Sequence, residues 1–105
     1  MVVYNVTVSL DERVEKDWLD WMKSEHIPEV MDTGCFRDSK LCRVHGEEEG
    51  GVTYAITYTS FSKEDLEHYE EKHAPKLQEA HAVRYKGSYA AFRTILTVVE
   101  EFKSE

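Results

Sequence analysis

The strongest constraint in this chain is the order in which its hydrophobic period changes. Residues 2–10 read Val-Val-Tyr-Asn-Val-Thr-Val-Ser-Leu, a β-branched and aromatic run of period two that predicts a strand. Tyr4, Val6, Val8 and Leu10 share one face; Asn5, Thr7 and Ser9 share the other. Asp11 offers an N-cap, and Glu12 and Glu15 suit the positive end of a helix dipole. Val14, Trp18, Trp21 and Met22 then recur at helical spacing, which predicts a helix from about 11 to 25, with Gly34 stopping the helical region. A second strand is expected over about 36–46, a solvated hairpin turn at Glu47-Glu48-Glu49-Gly50-Gly51, and a third strand over 52–60. Ser62 with Asp65 opens a second helical stripe through Leu66, Tyr69, His73, Leu77 and Ala80. After Gly87, a long last strand is expected over 88–102.

The order β-α-β-β-α-β allows few topologies. Two βαβ units joined by a hairpin predict an α+β, ferredoxin-like fold: one domain over residues 1–105, with a four-stranded antiparallel sheet and two helices on one face. The halves echo each other, since His26-Ile27-Pro28 parallels His73-Ala74-Pro75. Each proline is expected to kink or restart its helix, because it lacks an N–H and disfavours helical geometry in the residue before it.

Helices on one side leave the other sheet face uncovered. That face would carry Asn5, Thr7, Ser9, Thr53, Ala55, Thr57 and Thr59, which are small and uncharged. The last strand is apolar on both faces, with Ala90, Phe92, Leu96 and Val98 on one and Ala91, Ile95 and Val99 on the other. A strand of this kind normally has cover on both sides, and a long apolar edge invites a second chain. The reading is a twofold homodimer, sheet against sheet, as in a dimeric α/β barrel. Asn5, Thr7, Arg43, His45, Arg93 and Thr97 would line the space between the sheets, where the arginines either receive a carboxylate or pair with acidic side chains.

Charge excludes several partners. With 13 Lys+Arg against 21 Asp+Glu the formal charge is −8, so nucleic acid and anionic membranes repel the chain. No apolar run approaches the roughly 20 residues of a membrane helix. The N-terminal segment has no basic stretch followed by a cleavage site, so a cytoplasmic location is expected. Cys35 and Cys42, seven apart, fit free buried thiols and not a bridge. No metal is expected: zinc-type cysteine pairs are lacking, and His68 and His73, five apart on one helix, do not share a face. No cofactor-binding glycine motif is seen.

Candidate functional residues follow from chemistry. His26 and His73 are the candidate bases, since imidazole titrates near neutrality; each alternatively bonds a carbonyl freed by its proline. Arg93 is the candidate anion clamp. Asn5, Tyr54, Tyr58, Trp21 and Arg43 are the candidate ligand-binding residues, with Trp18, Trp21 and Met22 either a pocket floor or core. Tyr4, Tyr54 and Tyr58 share the helix-facing side of the sheet, and their buried hydroxyls need partners.

The segments YNVT, WMKSEHIPEVMDTGCF, GGVTYAITY, HAPKLQ and AFRTILTVV resemble those of a bacterial family catalogued as domain of unknown function 4286, near the dimeric α/β-barrel superfamily. The resemblance runs from Val3 to about Val99 and implies a ferredoxin-like fold and sheet-to-sheet dimerisation, with no activity attached. Haem-degrading members of the wider superfamily use an Asn on the first strand, a Trp near the end of the third and a His on the second helix. Asn5 resembles the first and His81 or His73 the last, but Ser60 stands near the Trp position, which argues against haem. The functional expectation is a small homodimeric binding or accessory protein with a small-molecule ligand. The alternative is a cofactor-independent enzyme, monooxygenase- or isomerase-like, acting on a small aromatic or carboxylated metabolite.

Overall fold

The computed structural model describes residues 1–46 and 49–105, so part of the expected hairpin turn, Glu47 and Glu48, lies outside the described residues. The strands are β1 (Val2–Asp11), β2 (Phe36–Val44), β3 (Gly51–Ser60) and β4 (Tyr89–Thr97). They form one sheet in the order β2-β3-β1-β4, with every neighbouring pair antiparallel. This is the ferredoxin-like arrangement that the element order implied.

Between β1 and β2 the chain is helical in successive pieces: a 3₁₀ turn (Glu12–Val14), α1 (Glu15–Trp21), a π turn (Met22–His26) and α2 (Ile27–Met31). Asp11 starts the run by accepting from the Arg13 backbone N–H at 2.9 Å. Pro28 cannot donate the usual bond back along the helix. The chain widens one turn instead, so that the Ile27 N–H reaches the Met22 carbonyl and the run continues. Gly34, at φ 77°, then turns the chain into β2.

The second stretch answers the same problem differently. Ser62 caps α3 (Lys63–Lys72) by accepting from the Asp65 N–H at 3.1 Å. Pro75 sits in the first turn of α4 (Ala74–Arg84), where its missing N–H costs nothing, and His73 at φ −120° is the joint between the two helices. The stripe read from sequence as one helix is therefore two.

The core lies between sheet and helices. Val2, Tyr4, Val8 and Leu10 of β1 and Val52, Tyr54, Ile56 and Tyr58 of β3 are buried against Trp18, Met22, Val30, Leu66 and Tyr69. The expected alternation holds along β1 and through most of β3, with Thr53 of the other face also buried.

Cross-strand partners share a face, and register corrects three expectations. Arg93 opposes Val6, Thr97 opposes Val2 and Arg43 opposes Tyr54, so all three lie on the helix-facing side and not on the open face. Alternation within β4 showed which residues lie together, but only pairing with β1 shows which side they take. His45 lies beyond the end of β2. The open face keeps Asn5, Thr7, Thr57, Phe92, Thr94 and Leu96, with Phe92 and Leu96 among the exposed large apolar residues.

β4 ends at Thr97 and not at residue 102, because its last partner on β1 is Val2 and the ladder runs out. A final bond from the Val98 N–H to the Met1 carbonyl closes it at 3.1 Å. Cys35 is buried as expected and Cys42 is exposed, facing out from β2 opposite Ala55; both are free.

Candidate functional site

A small cavity lies between the β1–β4 side of the sheet and the helices. Its volume is about 40 Å³, close to the roughly 30 Å³ share of one water molecule in the liquid. Tyr4, Tyr58, Tyr69, His26, His81 and Arg93 supply its polar wall, and Val6, Val8, Met22 and Ile56 its apolar floor.

Each polar group is placed by its element. His26 closes the π turn, and its ring stacks on Trp21 at a centroid distance of 4.7 Å. It reaches the cavity and makes no side-chain hydrogen bond among the described residues, so the carbonyl contact expected of it is not what holds it. His81, on α4, accepts at Nε2 from the Trp18 indole N–H at 2.8 Å. With Nε2 occupied as an acceptor, the neutral ring carries its proton on Nδ1. The two imidazoles lie 5.9 Å apart. Burial lowers both pKa values to about 4, and for His81 the neighbouring His26 and Arg93 act in the same direction. Both rings are therefore neutral at pH 7.

The phenols are neutral too. Burial raises the pKa of Tyr58 and Tyr69 well above the ordinary value. Burial also raises Tyr4, opposed by the Arg93 guanidinium and by Gln78, whose amide donates to the Tyr4 hydroxyl at 3.5 Å. The Tyr58 and Tyr69 hydroxyls face the cavity with no hydrogen-bond partner among the described residues. The site therefore offers neutral donors and acceptors around a water-sized space, with one permanent cation at its edge.

That cation joins the cavity to the surface. Arg93 also lines an open groove of about 670 Å³ with Lys86, Tyr89 and Ala91, and a second of about 310 Å³ with Tyr4, Gln78, Glu70 and Pro75. It makes no ion pair among the described residues, whereas Arg43 pairs with Glu15 at 3.6 Å and lies over the Tyr54 ring.

Of the residues singled out from sequence, the cavity gathers Tyr4, Met22, His26, Tyr58 and Arg93. Tyr54 does not line it; its hydroxyl donates to Glu15 at 2.6 Å, beside Arg43. Trp21 backs His26 from behind, under Arg84. Asn5 is on the open face, donating to Thr7 at 2.9 Å. His73 is also outside the cavity: the joint between α3 and α4 turns it toward His68, with the two rings 5.5 Å apart, so the spacing argument that separated them fails. His81 enters the sequence reading only through the resemblance to haem degraders and not as a candidate base, because the helical stripe there ends at Ala80. The available signal was Trp18, whose buried indole N–H requires an acceptor on a facing element.

A family described as domain of unknown function (DUF4286) matches residues 1–99. The chain belongs to that family. None of the curated proteins matches the DUF4286 chain. Solved structures do. An antibiotic-biosynthesis-monooxygenase-like protein from Bacillus cereus superposes with a TM-score of 0.68 at 12% identity, covering 98% of this chain and 97% of that one. A dimeric ferredoxin-like protein from an uncultured marine organism gives 0.68 at 14%, over 99% and 100%. A variant of the protein MhuD with two manganese protoporphyrin IX molecules per active site gives 0.67 at 16%, over 99% and 100%. At such identities the likeness establishes the fold. The haem pattern does not assemble in the DUF4286 chain: Asn5 and His81 lie on opposite sides of the sheet, and the third position is the buried Ser60.

Proposed function

We propose that this protein is a cytoplasmic homodimer, its two sheets face to face, in which each protomer binds a small carboxylated aromatic metabolite at the mouth of the cavity. The single observation that carries the reading is the position of Arg93. Its guanidinium has no carboxylate partner among the described residues and stands where the buried cavity and both surface grooves meet. A chain of formal charge −8 that leaves such a cation unpaired is suited to receive an anion from outside. The larger groove falls within the roughly 300–1,000 Å³ typical of small-molecule sites and adds Lys86 as a second cation. The 40 Å³ cavity admits only a substituent of water-like size, for which Tyr58, Tyr69 and His26 supply hydrogen bonds.

The enzymatic alternative would use His26 as the base, with Arg93 holding the substrate. The histidine pair at the cavity favours it, but a conjugate acid of pKa about 4 makes a weak base. Binding is therefore the better supported role.

Calorimetry with a panel of aromatic carboxylic acids and their neutral amides tests the proposal. Acids should bind at least tenfold more tightly than the amides, Arg93→Gln should abolish that preference, and Tyr54→Phe should leave it intact. Equal binding of acids and amides, or full affinity in Arg93→Gln, would overturn it.

A further inference from the structure

Beside Tyr69, but outside the lining of the cavity, three soft or borderline donors converge. The Sγ of Cys35 and ring nitrogens of His68 and His73 all lie within 4.8 Å of one another. We propose that these residues form a zinc-type site: one thiolate, two imidazoles and a fourth position open to water.

The convergence depends on the helix joint. On an unbroken helix, His68 and His73 would be separated by about 140° around the axis, from roughly 100° per residue. At His73 the backbone leaves helical geometry, with φ −120°, and the ring swings back beside His68. Cys35 arrives from a third direction, immediately after the Gly34 turn, and is only 4% exposed. Three separate local devices thus meet at one point: the end of α3, the start of α4 and the entry to β2. The carboxyl end of α3, a ten-residue helix, adds the partial negative charge that favours a cation there.

The donor set selects the metal class. Thiolate with imidazole suits zinc and other borderline divalent ions and not calcium or magnesium, which take oxygen ligands. With bonds of about 2.0–2.3 Å, tetrahedral ligand atoms stand roughly 3.3–3.7 Å apart. The donors must therefore close by about 1 Å, a movement available to the exposed His68 side chain. On binding, the Cys35 S–H gives its proton to solvent as the sulfur–metal bond forms, so no redox partner is needed. None of the three donors lines the cavity, and the site stands independently of the ligand reading above.

Cobalt(II) is the probe, added to untagged full-length protein carrying Cys42→Ser so that the exposed thiol does not contribute. A thiolate-to-cobalt charge-transfer band saturating at one metal per protomer is expected, lost in Cys35→Ser and weakened at least tenfold in affinity by His68→Ala. Because His68 is exposed, that variant should melt at the same temperature as the parent without metal, which separates ligand loss from misfolding. Zinc at a hundredfold excess over its Kd should raise the melting temperature by roughly 10 °C in the parent and not in His68→Ala. A parent protein without the band, or a band of undiminished affinity in His68→Ala, overturns the proposal.

Discussion

The Trp18 indole donates to Nε2 of His81 across 2.8 Å, with Trp18 fully buried and His81 8% exposed. This bond ties α1 to α4, 63 residues apart in sequence, across the top of the sheet. It also sets what His81 can do, because protonation at Nε2 would destroy the bond.

Replacing Trp18 by Phe removes the donor and part of a buried ring. The expected loss is roughly 2–4 kcal/mol, combining a cavity term with an unsatisfied imidazole acceptor. Urea unfolding measures it, and nitrogen NMR of His81 should show a mixture of tautomers where the parent shows one. A change below about 0.5 kcal/mol, with the tautomer unaltered, would remove the bond's assigned role.

Acid should destabilise the protein through His26 and His81. Both titrate at 6.5 when unfolded and at about 4 when folded, because burial disfavours the charged ring. Between those values the unfolded chain binds more protons, so stability is complete above pH 6.5 and falls as pH drops toward 4. The loss is on the order of 3 kcal/mol per ring before coupling between the two reduces the sum. Denaturant midpoints from pH 7.5 to 4.5 should show this slope, and it should flatten in His26→Phe. A flat profile in the parent would contradict burial of the neutral rings.

Phe92 lies opposite Thr7 on the open face and is 62% exposed. If the sheets of two protomers meet there, Phe92→Asp places a charge in the interface and should yield 12.3 kDa monomers. Phe61→Asp, at the end of β3, should leave the dimer intact. Sedimentation at micromolar concentration distinguishes these outcomes, and a monomeric parent would refute the interface.

Ser39 on β2 has a buried hydroxyl with no partner among the described residues. Ser39→Ala should therefore stabilise the fold, by up to about 1 kcal/mol, since it removes a desolvated polar group without breaking a bond. Thermal unfolding reads the shift, and destabilisation would reveal a partner for the hydroxyl.

Local pattern was a good guide where one physical cause acts. Tyr4, Val8 and Leu10 are buried and Asn5 is not, because a strand with one covered face must alternate. The His-x-Pro echo rightly marked two disturbances, although one became a π turn and the other a full break. Much of the cavity's polar wall was visible in Tyr4, His26, Tyr58 and Arg93. His81 was visible only as one candidate for the haem degraders' histidine, because its place at the cavity depends on Trp18, a partner far away in the chain.

The amino-acid order alone determined four strands, two helical stretches and their topology, since periods of 2.0 and 3.6 and the residues between them leave few ways to bury one apolar face. Tertiary structure alone decided that Arg93 points toward the helices, that Arg43 is claimed by Glu15, and that Cys35 joins His68 and His73. A period states which residues share a side. Which side that is, and who waits there, depends on strand register and on helix breaks that only the packed chain selects.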